Sequence, residues 1–455
     1  MIAIPEKSLY QNILITGTIG SGKTSCCMYP FTKQLMAYHS QDPSSKLGML
    51  ILDVKGNYCK NVLQFATMSN RLDDVLVLNL SGNITYNPLD KPNLKPSILA
   101  NRLKTILTLF SPHTSESYWL DKVETVLCEA IKFCRLYNHG YVTFLELHRL
   151  VTVPNYFMDQ LELVKKLFQE GKLSKQDCFN ALSSIDFFQK EFFCLDPRTL
   201  SILQSEITRI TNCFVSDYDV LKVFCPAKED ITFTGFTDLV NSGKIVILDM
   251  NLSHYQNLAK IIATYLKLDF QTEVLNRLAG ENTQAIRPTC FICDEFNEFC
   301  TSTDANFFAQ SREAKCINIV ATQSYSSLLQ TLQDEATVKV IVQNLINKLW
   351  LRTDDSYTIT DIQNQIGKED KIKQIKTLSE NAKQTTFDYI TNSFHSHDSN
   401  LSESIQQSIQ TDYRYDSSFF SQSLETFSCL AFLSDGHKII KPMKLKLFPY
   451  FQKFT

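Results

Sequence analysis

Near the start of the chain the run Asn12-Ile13-Leu14-Ile15-Thr16 breaks into Gly17-Thr18-Ile19-Gly20-Ser21-Gly22-Lys23-Thr24, and a helical pattern follows from Lys23 to about His39. A short, unbroken aliphatic run reads as a strand buried on both faces. A strand that feeds a helix through a tight turn is the opening unit of a parallel α/β sheet. The turn has the complete G-x-x-x-x-G-K-[ST] spacing of a P-loop. Glycines let backbone N–H groups close around phosphates at the positively polarised helix N-terminus, Lys23 reaches the β- and γ-phosphates, and the Thr24 hydroxyl ligates Mg²⁺. Gly17, Thr18, Ile19, Gly20, Ser21, Gly22, Lys23 and Thr24 are the expected nucleotide-binding residues. The flanks matter, because a chain with only 13 glycines has little glycine to spare for a match by chance.

The same aliphatic signature returns at Met49-Leu50-Ile51-Leu52-Asp53 and Val75-Leu76-Val77-Leu78-Asn79. From about Ser97 to Lys228 it gives way to helical spacing, with Trp119, Val123, Val126, Leu127, Ala130, Ile131 and Cys134 on one face. Strands then resume at 245–249, 290–294, 317–322 and 348–352, and these four are expected to complete one sheet. The implied division is a nucleotide-binding part over 1–96, an inserted all-α domain over 97–230, and the rest of the nucleotide-binding part over 231–455. A length of 455 residues accommodates two or three such units. Asn381 to Ser418, rich in Ser, Gln, Asn and Thr, reads as a mobile loop or a poorly packed hairpin.

Composition narrows the class. A hydrophobic share of 44% with 20% charged residues is that of a globular protein rather than a disordered or fibrous one. A net charge of -3 offers nucleic acid no global attraction, so DNA binding would need a local basic strip or a pore built by several subunits. No apolar stretch approaches bilayer length and the N-terminus lacks a secretory apolar region, so the expected location is cytoplasmic. The 14 cysteines follow no repeating spacing and read as reduced, buried small hydrophobes.

Chemistry is carried by a second motif. Cys290-Phe291-Ile292-Cys293-Asp294-Glu295 is an apolar strand that ends in two carboxylates, the Walker B pattern. Asp294 is placed to hold Mg²⁺ through water and Glu295 to polarise the attacking water as general base. Gln323 ends the next strand, where an amide can sense the γ-phosphate or orient water; a polar cap on the strand end is the plain alternative. Arg312, in the helical segment expected between those two strands, can reach into a neighbouring subunit's nucleotide site, since a permanent guanidinium charge stabilises a transferring phosphoryl group; a surface ion pair is the plain alternative.

Taken together these residues resemble the type IV secretion coupling proteins of the VirD4, TraG and TraD type, within the FtsK and HerA group of translocases. The P-loop helix carries Pro30, Asp53-Val54-Lys55-Gly56 is similar to the family's D-P-K-G motif, and Tyr86-Asn87-Pro88-Leu89 is similar to its N-P-L motif. Trp119, Asp294-Glu295, Ser311-Arg312-Glu313, Thr322-Gln323-Ser324 and Arg352 with Asp354-Asp355 ahead of Gly367 follow in order. The resemblance implies an α/β fold with a RecA-like P-loop domain, a mostly parallel central sheet and an inserted all-α domain that receives cargo. It also implies a homo-hexameric ring with ATP between subunits, and Lys55 near the nucleotide or the subunit interface rather than in a solvated turn. The implied function is ATP hydrolysis, with ATP and Mg²⁺ as cofactors, coupled to moving DNA, with or without a relaxase or effector protein, to a type IV secretion channel. An FtsK-like or packaging translocase, a protein-only secretion ATPase and a non-hydrolysing docking platform are the alternatives. Two departures stand out: Val54 replaces the motif's proline, and the pair of transmembrane helices usual in the family is missing ahead of the first strand. Any membrane association is therefore expected through a partner, at the inner face of the membrane.

Overall fold

A computed structural model describes residues 3–53, 56–110, 117–279, 286–380, 385–396 and 401–451. The chain forms two compact units, residues 1–353 with 425–455, and residues 354–424. Among the described residues no helix is long and apolar enough to cross a membrane.

The larger unit is built on one sheet. Its strands are β1 (Ile13–Thr16), β2 (Gly48–Asp53), β3 (Val75–Leu78), β4 (Ile245–Asp249), β5 (Thr289–Cys293), β6 (Cys316–Thr322) and β7 (Asn347–Trp350). The seven runs read from sequence are all present and run parallel to one another, in the order β7-β1-β6-β5-β2-β4-β3. β1, β2, β5 and β6 are buried at every position, which is why their sequences lack polar alternation.

They do not complete the sheet. In the smaller unit come β8 (Lys368–Glu380), β9 (Thr385–Asp388), β10 (Ser393–Ser396) and β11 (Leu401–Tyr413); back in the larger unit, β12 (Ser428–Phe432) and β13 (Met443–Lys446) add to the β7 edge. β12 runs antiparallel to β7, and β13 antiparallel to β12, so the sheet has nine strands and is only mostly parallel. β13 is an edge strand with no fully buried residue, so its sequence carries too little apolar signal to be seen alone.

Packing against the sheet is tight enough to dictate glycine at one strand position. A Cβ on Gly48 would overlap the carbonyl oxygen and side chain of Leu239, in the helix Thr237–Ser242. A backbone carbonyl cannot swing away as a side chain can. Gly48→Ala is expected to lower stability by about 1–3 kcal/mol, read as a lower midpoint of urea unfolding; an unchanged midpoint would show that the helix can recede from β2.

Between β3 and β4 the chain is helical, as its periodicity predicts, from Pro96–Thr108 through Ser117–Tyr137 to Tyr218–Phe224. These helices bury Phe133, Phe144, Phe157, Phe188 and Phe214, with Phe144 and Phe214 stacked at 3.9 Å. Local signals set their starts: Thr143 and Glu146 form a reciprocal capping box at one helix, and Ser174 and Asp177 do so at another. The helical segment Leu252–Asn276, which follows β4 and is kinked at Gln256, is joined to the first of these helices by Arg102 and Asp269 at 2.8 Å.

The smaller unit holds the helix Ser356–Ile366 and the antiparallel pair β8 and β11, with the short pair β9 and β10. Of the two readings for the polar stretch, the hairpin is the one adopted. Residues 381–384 and 397–400 of it lie outside the described residues. Ile372 and Ile409, directly opposed in register, are both exposed, so pairing here rests on the backbone ladder more than on a core.

Candidate functional site

Parallel register brings the ends of β1, β5 and β6 to one edge, with Thr16 beside Thr322 and Cys293 beside Val320. The P-loop leaves that edge and is pinned by both neighbours of β1. The Gly17 N–H donates to the Thr322 carbonyl at 3.4 Å, and the Thr18 N–H donates to the Arg352 carbonyl at 2.8 Å. Inside the loop, the Ser21 hydroxyl donates to the Thr18 carbonyl at 2.7 Å. Gly20 and Gly22 have φ of 76° and 104°, a region that side chains avoid, which explains glycine at both positions.

Lys23 is buried and its ammonium donates to the carbonyls of Gly17 at 2.6 Å and Thr18 at 3.3 Å. The helix that begins there is wound more loosely over Lys23–Met28 than the α-helix Tyr29–Ala37 that continues it. Such widened turns recur at functional sites.

From the Walker B side, the Asp294 carboxylate accepts the Thr24 hydroxyl at 2.8 Å and the Glu295 N–H at 3.1 Å. Glu295 stands in the left-handed region at φ 54°, ψ 49°, a conformation costing on the order of 1–3 kcal/mol and held only where surroundings over-determine it. Gln323 donates to the Glu295 carboxylate at 3.2 Å. Asp294 and Glu295 are 3% and 8% exposed, so both carboxylates sit in a poorly solvated place. The P-loop and the Asp294-Glu295 pair thus face one cavity, of about 340 Å³, which also takes in Tyr29, Asp53, Asn57, Tyr58 and Phe427.

Asp53 has a local role that its motif position did not reveal. Its carboxylate accepts the N–H groups of Gly56 at 3.0 Å, Tyr58 at 2.7 Å and Cys59 at 3.0 Å, and so organises the turn and the start of the helix Tyr58–Met68. Lys55 lies outside the described residues. Burial, followed by the neighbouring Tyr450 hydroxyl and the Asp53 and Asp294 carboxylates, pushes the Tyr29 hydroxyl up to about 12, so it stays protonated at any ordinary pH.

Arg312 is not part of this cavity. It is exposed, in the turn between the helix Asp304–Gln310 and β6 rather than in a helix. Because β6 runs parallel to β1, a residue just before β6 lies at the sheet edge opposite the P-loop. Phe427 and the Arg352 carbonyl, by contrast, belong to the site and went unforeseen. A backbone carbonyl carries no sequence signal, and Phe427 sits in a turn ahead of the unrecognised β12.

Comparison with known proteins agrees with this fold. Residues 288–412 match the family model described as the TraM recognition site of TraD and TraG. No curated protein sequence matches the chain. Among solved structures, the unbound bacterial conjugative coupling protein TrwB is similar with a TM-score of 0.62 at 13% identity, over 99% of this chain and 87% of that one. TrwB with ADP and Mg²⁺ has a TM-score of 0.62 at 13% identity, over 100% of this chain and 90% of that one. TrwB with a non-hydrolysable GTP analogue has 0.61 at 12% identity, over 99% and 90%. The likeness in fold spans the whole chain and the likeness in sequence its residues 288–412, and together they bear out the resemblance to the type IV coupling proteins of the TraG and TraD type.

Proposed function

We propose that the chain is an ATP-hydrolysing coupling protein that recruits DNA, with or without a bound relaxase or effector protein, and drives it toward a type IV secretion channel. The observation that carries this reading is the 2.8 Å bond between Thr24 and Asp294, which joins the P-loop to the Walker B strand beside Glu295 and Gln323. The donor set fits a magnesium nucleotide: hard oxygens on Thr24 and Asp294, a lysine at the loop, and glycines where the loop backbone takes positive φ. Mg²⁺, when bound, neutralises charge on the β- and γ-phosphate oxygens.

The residues then divide the work. Lys23 exchanges the carbonyls of Gly17 and Thr18 for phosphate oxygens. Thr24 and Asp294 would hold the cation, Thr24 through its hydroxyl and Asp294 through water. Glu295 accepts a proton from the attacking water, and Gln323 holds that carboxylate in place. Arg312, on the opposite sheet edge, serves a neighbouring subunit of a homo-hexameric ring rather than its own, and Lys55 lies near the same nucleotide or interface. Residues 97–230 form the cargo-facing all-α domain inserted between the two parts of the nucleotide-binding domain, 1–96 and 231–455.

ATP turnover of the purified chain, measured with and without single-stranded DNA, tests the reading. Turnover is expected, and DNA is expected to raise it several-fold. Absence of turnover in both conditions, with nucleotide still bound, would make the chain a docking platform instead.

A further inference from the structure

Phe427 has a geometry that its surroundings impose. It is half-buried and sits at φ 65°, where a bulky side chain is a conformational outlier. Its N–H donates to the carbonyl of P-loop residue Ser21 at 3.2 Å, and its own carbonyl accepts the Leu447 N–H at 2.7 Å. Its ring lies flush on Gly22: a Cβ there would come within 2.7 Å of the Phe427 Cδ1. A second anchor follows on the same segment, where the Tyr450 N–H donates to the Ser25 carbonyl at 3.0 Å and the Tyr450 ring meets Tyr29 edge-on at 4.7 Å. Phe427 and Tyr450 are thereby fastened to Ser21 and Ser25, and the strain at Phe427 is held where its phenyl ring lines the cavity.

That ring offers a phosphate nothing, since it has neither charge nor donor. The charged and donor groups of the cavity, Lys23, Thr24, Asp294 and Glu295, suit the triphosphate and its cation. Tyr29 and Tyr58, the other rings in the lining, are engaged with each other at 4.8 Å, and the Tyr58 hydroxyl is 2.7 Å from that of Thr32. The flat apolar part of a nucleotide is what remains for Phe427 to meet. We infer that Phe427 is the base-contacting residue of the site, a platform against which a purine ring rests. Every purine has a π-face, so the contact supports adenine and guanine alike and leaves the choice between them to other groups. The inference rests on the nucleotide-binding reading and names the part of the ligand that this segment recognises.

Binding of ATP, GTP and inorganic tripolyphosphate, each with Mg²⁺, to the wild-type chain and to Phe427→Ala and Phe427→Trp tests it by titration calorimetry. Removing a base-stacking aromatic changes binding by roughly ten-fold or more. Phe427→Ala is expected to weaken ATP and GTP to that extent while tripolyphosphate binds as before, and Phe427→Trp is expected to keep ATP affinity. An equal loss for all three ligands would show that the ring only braces the P-loop, and unchanged ATP affinity would show that the base lies elsewhere; either overturns the inference. If the wild-type chain binds none of the three, the nucleotide reading itself fails, and that outcome is told apart by the wild-type titrations alone.

Discussion

Glu295→Gln is expected to lower ATP turnover by about 10²–10⁴-fold, the usual worth of a positioned general base, while nucleotide still binds. The substitution is nearly isosteric and retains an oxygen for Gln323 to reach, so the left-handed turn after β5 and its contacts survive. What is lost is the ability to take a proton from water. Binding is held by other residues, Lys23 and Thr24 on the loop and Asp294 on the strand, which the change leaves alone. Single-turnover hydrolysis with a parallel affinity measurement separates the two effects. Turnover close to wild type would move the base to another residue and remove the catalytic reading of the Asp294-Glu295 pair. Loss of both turnover and affinity would show that Glu295 supports the site rather than the chemistry.

The second large effect concerns the junction between the sheet and its helical segment. Asp269, on the helix Leu252–Asn276, is 1% exposed and faces Lys91 at 2.7 Å and Arg102 at 2.8 Å, themselves 9% and 6% exposed. The Tyr86 hydroxyl donates to the same carboxylate at 2.8 Å. Asp269→Asn keeps the shape and removes the charge. The two cations cannot relax into water, because Lys91 also donates to the Thr234 carbonyl at 3.1 Å and Arg102 to the Thr272 hydroxyl at 2.8 Å. Removing one partner of a buried ion pair costs about 3–5 kcal/mol, and here two charges lose the same partner. With total stabilities of about 5–15 kcal/mol, a loss of this size should appear as a much lower urea midpoint or as failure to fold.

The same carboxyl makes a prediction in pH. Burial pushes Asp269 up, but Lys91, Arg102 and the bonds to them and to Tyr86 pull harder, so it lies below the ordinary carboxylate range. An unfolded aspartate titrates near about 4. Its contribution is therefore fully present above that value and is lost as pH falls through the lower folded value. Wild type should lose stability in this acid window, and Asp269→Asn should lose less of what it has. Identical pH profiles would mean that the cluster is not charged in the folded chain.

Tyr86 and Asp269 also show how motif and fold relate. Tyr86 opens the Tyr86-Asn87-Pro88-Leu89 motif, yet its function in the fold is to meet a carboxylate 183 positions later. Asn87 likewise donates to the Val142 carbonyl at 2.9 Å, tying the motif to the helical segment. Similarity flagged the residues, and packing supplied the reason for them.

Local patterns were enough for seven strands of the sheet, for the P-loop and for the paired carboxylates at the end of β5. A strand buried on both faces must be aliphatic throughout, and a loop that wraps phosphate must carry glycine where φ is positive, so both leave a mark on adjacent residues. Only the tertiary structure decided what is assembled from distant residues. It set Thr24 against Asp294, 270 positions away, and placed Arg312 at the sheet edge away from its own P-loop. It also added β12 and β13 to the β7 edge and laid Phe427 on Gly22. These choices depend on strand order and register, which are fixed by burying all the strands together, and no window of neighbouring residues contains that information.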